Sequence, residues 1–124
     1  MSLKKRNKLR AEMSALSASI SDETYVVSAK TLNISAEGVA LKCSTLEREQ
    51  ITPKGDFVCS GRPLEVDVVI DFPEKNNKKY EFKARCRVVY SRRLTQDECQ
   101  LGMHFIDIDN VGRERLINFV EKQA

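Results

Sequence analysis

The sequence predicts an all-β domain, a barrel or sandwich, closed by a single C-terminal helix. Two long segments alternate apolar and polar residues with a period of two. Leu64, Val66, Val68, Ile70 and Phe72 alternate with Glu65, Asp67, Val69 and Asp71, and Phe82, Ala84, Cys86, Val88 and Tyr90 alternate with Lys83, Arg85, Arg87, Val89 and Ser91. Helical periodicity occurs only at the end, where Leu116, Ile117 and Val120 form an apolar stripe that Phe119 widens.

The remaining elements follow in chain order. Residues 12–20 and 25–33 read as strands around a turn at Ser21-Asp22-Glu23. Residues 38–46 give a third strand, with Val39, Leu41 and Cys43 on one side. Residues 47–61 hold Pro53, Gly55 and Gly61 and read mostly as loop, with a short strand near Phe57-Val58. The polar run 73–79 is a hairpin loop between the two long strands, and the antiparallel pair it makes sets acid opposite base, for example Asp67 near Arg87. Residues 100–106 give the last strand, with Leu101, Met103 and Phe105 on one face and His104 on the other. Asp109 or Asn110 can start the helix, because a short polar side chain accepts from the free N–H groups of a first turn.

Composition excludes several classes. The 124 residues suit one domain with a core that needs no staples. Net charge is +3, from 21 basic and 18 acidic residues, too balanced for a duplex nucleic-acid binder. Aromatic residues are 6% with no Trp, too few for the stacking surface of a single-strand binder. No segment has the length and apolarity for membrane insertion or the pattern of a secretory signal, so a cytoplasmic location is expected. Cys43, Cys59, Cys86 and Cys99 form no C-x-x-C pair, and His104 is the single histidine, so no metal site is expected. Cys43 and Cys86 sit in strand runs and read as small buried residues. No catalytic motif is present, and an enzyme is not expected.

Two short patterns could carry binding chemistry. The first ten residues are basic and contain Arg6-Asn7-Lys8-Leu9-Arg10, an R-x-x-x-R preceded by Lys5. Asn33-Ile34-Ser35-Ala36-Glu37-Gly38 is an N-x-S-x-x-G between two strands. A turn alone accounts for the second: Asn and Ser bond to nearby backbone, and Gly supplies a positive φ. Arginine forks match both the O6/N7 edge of guanine and phosphate oxygens. Asn and Ser add short aimed hydrogen bonds, and Gly lets a backbone N–H approach an anion. A ligand with guanines and phosphates would use all of these groups.

The two patterns in this order, with Arg10 and Asn33 separated by 33 − 10 = 23 positions, resemble the signature of the PilZ family. The run Leu101-Gly102-Met103-His104-Phe105 before a closing helix is similar as well. The resemblance implies a six-stranded antiparallel β-barrel with a C-terminal α-helix, divided into a basic arm over residues 1–11 and a barrel domain over 12–124. It implies a receptor or adaptor module that binds cyclic di-GMP, needs no cofactor or metal, changes conformation and signals to a partner protein in motility, exopolysaccharide or transcription machinery, as a monomer or homodimer. Arg6 and Arg10 would meet guanine edges and phosphates, Asn33 a guanine edge, and Ser35 the ligand. Gly38 would permit the loop shape, and Lys5 would add charge near a phosphate. The arm would close onto the barrel rim when ligand binds. The alternative is a scaffold of the same fold that binds only protein and keeps the patterns as turns.

Overall fold

The computed structural model describes residues 16–53, 58–59 and 61–123. Its strands are β1 (Ser17–Ser21), β2 (Val26–Ile34), β3 (Gly38–Ser44), the short β4 (Val58–Cys59) and β5 (Arg62–Pro63), β6 (Glu65–Pro73), β7 (Lys79–Arg93) and β8 (Glu98–Asp107). Helix α1 spans Thr45–Ile51 and helix α2 spans Asn110–Gln123. Six strands close into an antiparallel barrel in the order β1-β2-β3-β8-β7-β6, with β6 pairing back onto β1. β4 and β5 form a separate two-stranded ribbon, turned at Gly61 with φ 78°.

Alternation sorts side chains into the barrel. Val66, Val68, Ile70 and Phe72 of β6 face Phe82, Ala84, Cys86 and Val88 of β7, all buried in one core with Ile20, Leu41 and Leu101. Replacing a fully buried aromatic such as Phe82 by Ala costs about 3–5 kcal/mol. The outer faces of β6 and β7 are charged, as expected, but the register differs by one pleat. Arg85, not Arg87, lies opposite Asp67 and pairs with it at 3.2 Å, while also reaching Glu65 at 3.6 Å. The hairpin loop sets this register: Pro73 pairs with Lys79, and Asn76 and Asn77 adopt positive φ, which asparagine tolerates better than most residues.

β3 and β8 are antiparallel, so the helices that follow them leave from opposite ends of the barrel. The expectations of a strand to residue 46 and of a loop from residue 47 are both corrected here, because β3 ends at Ser44 and α1 follows at once. Ser44 accepts from Glu47 N–H while the Glu47 carboxylate accepts from Ser44 N–H, a reciprocal cap that stabilises a helix of only seven residues. Ile51 then buries in the core. The short strand expected near Phe57-Val58 is found at Val58–Cys59. At the other end, the Asp109 carboxylate accepts from Gly112 N–H at 2.6 Å and caps α2. Leu116 and Phe119 bury, and Phe119 stacks on Phe72, which stacks on Phe82, with ring centroids 4.5 and 4.9 Å apart. Ile117 is not part of this stripe; it is exposed. Strand residues 12–15 of the sequence expectation lie outside the described residues.

Cys43, Cys86 and Cys99 are buried free thiols. Burial pushes the Cys43 and Cys86 thiols up to about 12, with Glu47 adding to the first and Asp67 to the second. Their folded state holds the neutral thiol above the ordinary value of about 8.5. This contribution to stability is therefore present below that value and is lost as pH rises toward 12. Alkylation at pH 8, read by peptide mass spectrometry, is expected to leave Cys43 and Cys86 unlabelled in native protein and to label them only above the denaturant midpoint. Melting temperature is expected to fall between pH 9 and about 12. Rapid native labelling would contradict this burial.

Candidate ligand-binding site

Asn33, Ser35 and Gly38 come together at the β2–β3 connection, on the barrel end from which α2 leaves. The turn is tight. Ser35 N–H donates to Gly38 C=O at 2.9 Å, and the Ser35 hydroxyl accepts from Glu37 N–H at 3.2 Å and Gly38 N–H at 3.3 Å. A serine in this role holds the loop with its own side chain. The loop is further tied to β8, where Phe105 N–H donates to Glu37 C=O at 2.9 Å. Asn33, Ser35 and Glu37 are exposed, so the site is an open rim rather than a closed pocket.

The expected positive φ at Gly38 is not found; Gly61 is the glycine with that geometry among the described residues. Gly38 is required for a different reason. A Cβ there would lie 2.2 Å from the Met103 carbonyl oxygen of β8, which is backbone and cannot swing away. The glycine lets β3 and β8 approach where Gly38 pairs with His104.

A β-bulge aims Asn33. Thr31 pairs with Leu41 and Asn33 with Ala40, so Leu32 is the extra residue. Thr31 is buried, and without the extra residue alternation would bury Asn33 too. Leu16, where the described chain begins, donates to Thr31 Oγ1 at 3.0 Å and accepts from Thr31 N–H at 2.9 Å. Leu16 therefore meets β2 two residues from Asn33. Lys5, Arg6 and Arg10, the whole 1–11 arm and its expected closure lie outside the described residues.

A second bulge brings in a residue that the sequence reading sets on the core face. Val88 pairs with Met103 and Tyr90 with Gly102, so Val89 is extra and Tyr90 turns outward. Its ring covers Gly102, where a Cβ would lie 2.0 Å from Tyr90 Cε2. The Tyr90 hydroxyl accepts from Gln100 Nε2 at 2.8 Å, and Gln100 Oε1 accepts from Arg92 Nε at 3.1 Å. The adjacent valines at 88 and 89, which break the period of two, are the one signal for this in the sequence. Among the described residues no group of His, Cys, Asp and Glu is arranged to hold a metal, and no helix is long and apolar enough to cross a membrane.

The described residues thus form a closed six-stranded barrel with a braced, exposed loop on its rim. The PilZ domain family model matches residues 4–122, and the chain belongs to that family, whose members are cyclic di-GMP-binding and adaptor modules. No curated protein matches the sequence. Among solved structures the fold is similar to the Bacillus subtilis inhibitor of motility MotI/DgrA, with TM-score 0.66, 16% identity, and coverage of 90% of this chain and 47% of that one. It is also similar to the Borreliella burgdorferi PlzA protein in complex with c-di-GMP, with TM-score 0.57, 7% identity, and coverage of 99% and 57%. The chain thus spans about half the length of each of these proteins.

Gly38→Ala is expected to lower the melting temperature by several degrees, because a single methyl already meets the Met103 carbonyl. Ser35→Ala is expected to cost less, about 1 kcal/mol, the scale of a lost turn hydrogen bond. Thermal denaturation of both variants checks the order. A neutral Gly38→Ala would contradict the close approach of β3 and β8.

Proposed function

We propose that this chain is a cytoplasmic receptor and adaptor that binds cyclic di-GMP at the β2–β3 rim and passes the signal to a partner protein. The observation that carries the reading is the gathering of Asn33, Ser35 and Gly38 in one exposed, internally braced loop beside the attachment point of the Arg-bearing segment. In this reading Arg6 and Arg10 close over the ligand, their guanidinium forks on guanine edges and phosphates, with Lys5 beside a phosphate. Asn33 bonds a guanine edge from the lip of the loop. Ser35 and the Gly38 backbone offer further hydrogen bonds. Asn33 is neutral, so it accepts from guanine N–H donors more weakly than a carboxylate would. Closure of the arm changes the surface that a motility, exopolysaccharide or transcription partner would read; PilZ-fold MotI/DgrA, an inhibitor of motility, makes the first of these a concrete example.

One observation favours a second reading, a scaffold that binds only protein. The Ser35 hydroxyl is already engaged within its own turn, so the loop stands without ligand. The arginines separate the two readings, since a turn of this kind does not need them.

Calorimetric titration is expected to show cyclic di-GMP binding well above that of cyclic di-AMP, because adenine presents a donor where guanine has O6. Arg10→Ala is expected to lose tenfold or more in affinity, as charge-assisted bonds of about 1.5–3 kcal/mol are removed, with little change in melting temperature. Equal affinity for the adenine dinucleotide would remove the guanine readout. A lower melting temperature with normal binding would make Arg10 structural and favour the scaffold.

A further inference from the structure

The hairpin between β6 and β7 and the last turns of α2 enclose a cleft of about 470 Å³. Phe72 and Phe119, stacked on each other and almost fully buried, form its floor. Arg115, Asn118, Phe119 and Lys122 recur at i, i+3, i+4 and i+7, so one face of α2 supplies one wall. The hairpin supplies the other wall with Glu74, Lys75, Asn76 and Lys78. That hairpin has a fixed shape: Glu74 N–H donates to Lys78 C=O at 2.8 Å, and Asn76 and Asn77 take up positive φ.

The charge of the cleft is one-sided. Among the residues lining it, Lys75, Lys78, Arg115 and Lys122 face a single carboxylate, Glu74. That carboxylate is taken by Arg115, whose guanidinium also lies 4.7 Å over the Tyr80 ring. Lys75, Lys78 and Lys122 are exposed and have no acidic partner among the described residues. The outer faces of the barrel differ: Lys42 pairs there with Glu98, and Arg85 with Glu65 and Asp67. A solvated hairpin needs polar side chains, but not charges of one sign around an apolar floor. Such a cleft matches an acidic peptide with one apolar anchor. The anchor covers the phenylalanines, the carboxylates meet the lysines, and the Asn76 and Asn118 amides can both donate to and accept from the peptide backbone. The concave shape does not suit a flat membrane surface. This chain's own Lys4, Lys5, Arg6, Lys8 and Arg10 have the wrong sign to fill it.

We propose that the cleft between the β6–β7 hairpin and α2 docks a partner protein through an acidic segment that carries one large apolar residue. The inference rests on the adaptor half of the proposed function and names the surface and the chemistry of the partner. In the strand order, β8 on one side and β1 on the other separate the β6–β7 hairpin from the β2–β3 loop. Ligand and partner therefore occupy different sides of the barrel and do not compete for one surface.

The test uses the full isotope-labelled chain without cyclic di-GMP. The probe is the acetylated and amidated peptide Glu-Asp-Phe-Asp-Glu, beside versions with Ala for Phe and with Lys for every acid. The acidic peptide is expected to shift the amides of residues 74–78 and 115–122 in a saturable way and to leave Asn33 and Ser35 unmoved. The Ala version is expected to bind several-fold more weakly, and the Lys version to give no shifts. Salt at about 1 M, where the screening length falls to about 3 Å, is expected to weaken the acidic peptide several-fold. Lys75→Glu, Lys78→Glu and Lys122→Glu combined are expected to lose about tenfold or more in affinity, with the melting temperature of wild type. Should that protein not fold, the same three positions changed to Gln decide by the same loss. Absence of shifts with the acidic peptide, equal binding of the Lys version, or shifts centred on the β2–β3 loop would overturn the proposal. The same shifts from inorganic phosphate at equal concentration would make the cleft a general anion site and overturn the peptide partner. Shifts produced by raising the protein concentration alone would assign the cleft to a second copy of this chain. Binding to phosphatidylglycerol vesicles through the same amides, with no response to peptide, would assign it to a membrane. Either outcome overturns the proposal. The receptor reading is tested separately by the titration with cyclic di-GMP, so the two fail independently.

Discussion

The pairing of β1 with β6 is the constraint on which the rest depends. It closes the sheet, so no edge is left to slip and each strand's register is tied to that of both neighbours. Inside, alternation must then deliver apolar residues to a single core, and Ile20 of β1 meets Val68 of β6 in that core at zero exposure. Outside, every position is fixed by the same parity. A closed barrel can present an inward-phased residue to solvent only by inserting an extra one, and β2 and β7 do this at Leu32 and Val89. The barrel ends are stoppered separately, by Ile51 after β3 and by Leu116 and Phe119 after β8.

This division of labour separates stability from recognition. The core and its stacked Phe72, Phe82 and Phe119 hold the frame, while the rim loop is held by short-range bonds from Ser35 and one close backbone approach at Gly38. The exposed side chains of the rim are therefore free to change without unravelling the barrel, as is common for loops on rigid scaffolds. Ser35 and Gly38 hold the turn and, in the proposed function, also meet the ligand, so the loop can be read as a turn and as a binding element at once.

Much of the fold was legible. The long β6 and β7 segments announced themselves by alternation broken only at Val69 and Val89, Cys43 and Cys86 are buried as read, and Asp109 caps α2. What escaped the sequence has physical causes. Helix α1 is too short to show periodicity, although its Ser44-x-x-Glu47 box was there to be read. The Asp67–Arg85 register depended on two asparagines at positive φ in the hairpin, which shift the pairing by one pleat relative to the Asp67–Arg87 expectation. Ile117 fell outside the buried stripe because α2 presents Leu116 and Phe119 to the barrel end. Gly38 was singled out for a positive φ that it does not have: the carbonyl it must avoid belongs to Met103, 65 residues away in sequence (103 − 38), and no local pattern reports that distance. Tyr90 was set inside because a bulge reverses parity without changing composition.

In the proposed function the β2–β3 rim loop takes part in seating cyclic di-GMP. Backbone amide chemical shifts of isotope-labelled protein, followed through a titration with cyclic di-GMP, test it directly. The expected changes concentrate at Asn33, Ser35, Gly38 and Ala40, with the amides of α1 at the opposite end unmoved. Saturation with the largest changes on α1, or with none over residues 33–40, would contradict it.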